Sequence, residues 1–144
     1  MNKEVMKPRR RLDDLFKKIE IFPIDDLYIQ AQWSRYLCVL TSGFLEVSIR
    51  AIYSEYAKDK CNAAPNIAKF VSTKLEDFYN PSMKKSLALT ASFNQTWEEN
   101  LRTATEGELK DAIDSIVNNR HLIAHGQDVG ISYVNIKKIL RKCS

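Results

Sequence analysis

Apolar residues recur at three- and four-residue spacing along nearly the whole chain, the pattern of helices that bury one face. Leu12, Leu15, Phe16 and Ile19 share a face of a short predicted helix from Asp13 to Ile21, which Pro23 should end. Residues 1–10 are expected to form a flexible N-terminal segment. Asp25 suits the N-cap of a long helix from Asp26 to about Lys60, with Tyr36, Leu37, Leu40, Phe44, Val47 and Ala51 on one stripe. Within it, Thr41-Ser42-Gly43 could bend the helix or admit a close neighbour. Pro65 suits the first turn of a third helix reaching Phe78.

Asn80-Pro81 reads as N-cap and first helical position of the next element, over 82–92, with Met83, Leu87, Leu89 and Phe93. Asn94 recaps the chain for a short helix carrying Trp97 and Leu101. Thr105-Glu106-Gly107-Glu108 reads as a capping box opening the helix that ends near His125, and Gly126 suits its left-handed terminator. Ser132 should cap a last helix with Tyr133, Val134, Ile136 and Leu140. The 4 Gly and 4 Pro among 144 residues leave little room for strands and turns. These signals predict an all-α antiparallel helical bundle, a single domain over 1–144.

The 109–125 helix departs from simple packing. Its apolar series Leu109, Ala112, Ile113, Ile116, Val117 continues onto Arg120 and Ala124, so an arginine lies along or beside the buried face. His121 and His125, both histidines of the chain, follow at one-turn intervals. An arginine on such a stripe can simply pack its stem and raise its head to water. A histidine near a helix C-terminus is favoured as a cation by roughly 0.3–1 kcal/mol. Imidazole also exchanges protons near neutral pH, as acid–base catalysis requires. The i, i+4 histidines suit zinc on one helix face, but Leu122 stands where a HExxH site has its glutamate, and no nearby Cys or His offers a third ligand. No metal and no cofactor is expected.

Composition narrows the class. The length suffices for a hydrophobic core without disulfides or metal. Cys38, Cys61 and Cys143 are odd in number and far apart, which indicates neither a disulfide framework nor a zinc site. No apolar stretch follows the early charges as in a signal peptide, and the longest uncharged apolar run, Tyr36 to Leu40, is too short for a bilayer. The cytoplasm is the expected compartment, with no membrane partner. A formal charge of +4, with basic clusters at Lys7 to Arg11 and at Lys137, Lys138, Arg141 and Lys142, suits either solvated helix faces or a surface attracting phosphate.

Arg120-x4-His125, with a polar residue after the arginine and Gly126 after the histidine, resembles the signature of the HEPN superfamily. Ser42-Gly43-Phe44-Leu45-Glu46 with Ile49-Arg50 resembles the central helix of its RiboL-PSP-type subgroup. Phe93-Asn94-Gln95-Thr96-Trp97 resembles the segment before that subgroup's catalytic helix. The pieces occur in the expected order over roughly residues 30 to 140, with one departure: His121 stands where Asn is commoner.

The resemblance implies a bundle of four main helices with short additional ones, and metal-independent RNA cleavage at a site completed by dimerisation. Arg120 and His125 are then the catalytic residues, with His121, Asn119 and Glu46 in support. Glu46 would orient Arg120 or a histidine, although a plain i, i+4 pair with Arg50 explains it equally. Tyr133 and Trp97 could stack on a base, but their helical spacing also suits core packing. The residues that would bind RNA elsewhere are not legible. Expected partners are RNA, a second copy of the chain, and an antitoxin or regulatory protein. The rival expectation is a non-catalytic HEPN-type module docking a protein or nucleotide, or a regulatory helical subunit.

Overall fold

The computed structural model describes residues 3–21 and 25–142; Pro23 and Cys143, which figured in the expectations above, lie outside them. Among the described residues there are seven helices and no strand: α1 Lys3–Ile21, α2 Leu27–Lys60, α3 Pro65–Glu76, α4 Met83–Phe93, α5 Gln95–Thr105, α6 Glu108–Ala124 and α7 Tyr133–Lys142. The all-α expectation holds.

Helix α2 is the axis of the fold, packed against α1, α3, α6 and α7. Its buried face is built from Ser34, Leu37, Cys38, Thr41, Ser42, Ser48, Ala51 and Ala57, most of them small. This corrects the expected stripe, because Tyr36 and Val47 are exposed while Ser34, Thr41 and Ser42 are buried. Small side chains let neighbouring helices approach. The hydroxyls of Ser34 and Thr41 donate back to the carbonyls of Gln30 and Leu37, at 2.9 and 2.8 Å, so their burial leaves no donor unpaired. An 18-residue stretch of α2 matches a membrane span in length and hydropathy. That stretch is 28% buried, and the helix as a whole contacts four others.

The core joins Leu12 and Phe16 of α1, Leu37 and Cys38 of α2, Ile116 of α6, and Ile136 and Ile139 of α7. Full burial of such a side chain stabilises by about 1.5–3 kcal/mol. Beneath it, the Cys38 Sγ contacts the Ile116 carbonyl at 3.5 Å. Burial pushes this thiol up to about 11, so it is not a thiolate nucleophile at neutral pH.

Several ends differ from the sequence expectation. Helix α1 begins at Lys3, with Val5 buried and Pro8 inside it, where a flexible segment was expected over 1–10. Asp26, not Asp25, caps α2, its Oδ1 accepting from the Tyr28 and Ile29 amides at 2.8 and 3.2 Å. Thr105 forms no capping box. It closes α5 and donates to the Leu101 carbonyl at 2.8 Å, and Gly107 at φ +78° is the N-cap of α6. The expected caps at Asn94 and Ser132 are present, accepting from the amides of Trp97 and Asn135 at 3.2 and 3.3 Å.

Candidate active site

Helix α6 carries the site on its last two turns. Ile116 and Val117 are buried, and the following residues of the same face, Arg120 and Ile123, are half-buried. Ile123 packs against the core, whereas Ala124, the expected continuation of the stripe, is exposed. Beyond it the helix closes in a Schellman motif. The Gly126 amide donates to the Ile123 carbonyl and the Gln127 amide to the Leu122 carbonyl, both at 3.0 Å. Gly126 adopts φ +70°, the left-handed conformation its position demands. His125 is thus the C-cap.

His121 and His125 are both exposed, and their rings meet edge to face with centroids 4.5 Å apart. Among the described residues, no group of three or more His, Cys, Asp or Glu side chains could hold a metal ion.

Arg120 turns toward the loop between α3 and α4, donating from Nη1 to the Asn80 Oδ1 at 3.0 Å. That contact uses one of the guanidinium's five donors. The Asn80 amide in turn donates to Glu46 Oε2 at 3.2 Å. Glu46 also pairs with Arg50 at 3.0 Å, and Arg50 Nε donates to the Phe78 carbonyl at 2.8 Å. Glu46 thus forms the plain i, i+4 pair with Arg50, and its bond to the Asn80 backbone places it two bonds away from Arg120 rather than against it.

Asn80 was expected to cap a helix. Instead it adopts φ +52° before a proline, a conformation that non-glycine residues rarely take and that costs on the order of 1–3 kcal/mol. Ser82 is the N-cap of α4, accepting from the Lys85 amide at 3.3 Å. The strained turn is held from several sides, since Asp114 of α6 also accepts from the Met83 amide at 2.7 Å. Sequence reasoning missed Asn80 and Asp114 as parts of the site. The tolerance of Asn for left-handed backbone was the one available signal. Asn80→Ala is expected to destabilise the fold by about 1–3 kcal/mol, by removing the acceptor of a charged donor and straining an alanine, as urea unfolding would measure.

The other expected residues divide. Asn119 folds back on its own helix, donating to the Ser115 carbonyl at 2.8 Å, and makes no recorded bond to Arg120 or the histidines. Tyr133 stacks on Phe16 at 5.7 Å, and its buried hydroxyl has no partner among the described residues; burial holds that phenol above its ordinary value. Trp97 meets Tyr56 edge-on at 4.9 Å. Tyr133 serves packing, whereas Trp97 stays exposed beside Tyr56. In the basic clusters, Arg9 pairs with Asp13 at 3.2 Å and Lys137 with Glu20.

The arrangement offers an anion two imidazoles at a helix end and, next to them in sequence, a guanidinium oriented by an amide. The profile of the RiboL-PSP-HEPN family matches residues 9–144 of the chain. No curated protein matches it, and no solved structure does.

Proposed function

The chain belongs to the RiboL-PSP-HEPN family, and on that premise we propose that it is a metal-independent endoribonuclease whose active site is completed by a second copy of itself. One observation carries this reading. The end of α6 presents two exposed histidines in ring contact, while Arg120, one residue before the first, is held in place through Asn80 and Glu46. A pair serving only stability would not need that support.

The chemistry follows from the groups. An imidazole takes the proton of an RNA 2′-hydroxyl, the oxygen attacks the adjacent phosphorus, and the bond to the 5′-oxygen breaks. A second imidazole protonates that leaving oxygen. The products are a 2′,3′-cyclic phosphate and a 5′-hydroxyl. Arg120 neutralises the charge that builds on the phosphorane, and its planar fork can hold two phosphate oxygens. Base and acid must stand on opposite sides of the phosphorus. His121 and His125 lie on one face of one helix, so a twofold partner supplies the opposite group. Self-association is also favoured by the apolar side chains left open at the start of α2, Leu27, Tyr28, Ile29 and Tyr36. A toxin or defence role in the cytoplasm suits such an activity, with an antitoxin or other protein as its restraint.

The substrate tests the reaction class. An oligonucleotide with a single 2′-deoxy sugar at the scissile position should resist cleavage, and EDTA should leave the rate on unmodified RNA unchanged. Cutting of the deoxy substrate, or strong inhibition by EDTA, would overturn the reading.

A further inference from the structure

We propose that Tyr79 is a stacking platform for a base of single-stranded RNA beside the reacting phosphate, with Lys85 clamped behind it. This rests on the nuclease reading above for the location of that phosphate, but its own evidence is separate. Tyr79 is 56% exposed, a large aromatic in a loop that is otherwise tied down. The next residue, Asn80, is the one that Arg120 grips, and consecutive Cα atoms lie about 3.8 Å apart. An exposed ring is therefore adjacent in the chain to the anchor of the guanidinium assigned to the phosphate.

The ring's mounting is stiff. Phe78 on one side is held by Arg50, Asn80 on the other by Glu46 and Arg120, and the Tyr79 carbonyl accepts from Lys85 Nζ at 3.1 Å. The same ammonium lies 5.3 Å from the ring centroid, within cation–π range. One face is thus taken by a cation, and the other serves a base. Stacking of bases on aromatic side chains, with a cation nearby for the backbone, is the common mode of single-strand binding. It needs a ring held in orientation, and here the Lys85 ammonium sits on the ring while the turn at Asn80 fixes the backbone that carries it. Phe70 of α3 makes a similar pair with Lys74, at 5.8 Å, but lies ten positions before Asn80 in the chain. It is a natural control.

Binding can be read without turnover. In a His125→Ala background, single-stranded RNA oligonucleotides carrying 2-aminopurine at successive positions report stacking by fluorescence quenching, and titration reports affinity. Quenching is expected at one position. It should disappear in Tyr79→Leu, persist in Tyr79→Trp and be unaffected by Phe70→Leu. The affinity loss in Tyr79→Leu should be on the order of ten- to a hundredfold. Equal quenching and affinity in Tyr79→Leu would overturn the platform while leaving the nuclease reading intact. So would a change in oligomeric state with RNA affinity unaltered, which would make Tyr79 part of a protein contact. Conversely, Tyr79-dependent quenching together with no RNA cleavage by the unsubstituted chain would support the platform and sink the nuclease.

Discussion

His125→Ala is expected to lower RNA cleavage by a factor of about 10²–10⁴, the usual worth of a positioned acid or base. The side chain is exposed at the C-cap, so far-UV helicity should persist. Arg120→Ala should cost about 10²–10³ by removing charge stabilisation at the phosphorane. Arg120→Lys should recover little, because a single ammonium cannot hold both Asn80 and a phosphate in the geometry of the planar fork. Cleavage of end-labelled RNA under single-turnover conditions measures all three. Growth arrest on expression, compared between wild type and His125→Ala, gives a readout that needs no known substrate. A folded His125→Ala or Arg120→Ala variant cutting at the wild-type rate would contradict the proposed site.

Ile116→Ala is expected to destabilise the fold by about 2–5 kcal/mol, a large part of the 5–15 kcal/mol typical of a whole domain. Ile116 is 0% exposed, and it ties α6 to the Leu37 and Cys38 face of α2. The cost combines lost burial with the cavity left among helices that meet there and cannot all close the gap. Val134, 71% exposed on α7, serves as a contrast, since Val134→Ala should stay within about 0.5 kcal/mol of wild type. Urea unfolding of both variants tests the pair. An Ile116→Ala loss below about 1 kcal/mol would mean that α6 is not seated in the core as described. Because the site lies about one to two and a half turns further along the same helix, loosening this contact should also raise the fraction of chains without a formed site.

Helices were legible wherever signal and structure are both local. Gly126 predicts its own left-handed turn, Asn94 and Ser132 predict their caps, and helical spacing carries the apolar face from Ile116 and Val117 to Arg120, though not to Ala124. The misreadings have a common cause. Thr105 has the chemistry of an N-cap, but its hydroxyl found a nearer acceptor in the preceding helix. Asn80-Pro81 has the composition of a helix start, but the asparagine serves better as an acceptor for Arg120. On α2, a hydrophobicity pattern could not reveal that serines and threonines face inward. The burial of Ser34 and Thr41 costs little because each hydroxyl bonds to its own helix, and close packing rewards small size.

What the order of residues determined by itself is most of the helices and the meeting of His121 with His125 on one of them, since contacts across three or four positions follow from helical spacing alone. Packing decided the rest. Glu46 and Asn80 are 34 positions apart, and Asn80 and Arg120 are 40 apart. Such pairs meet only once α2, α6 and the loop before α4 have been brought together by burial of the core. The strained turn that presents Tyr79 depends on the same assembly, because its cost is tolerable only where several distant partners hold it at once.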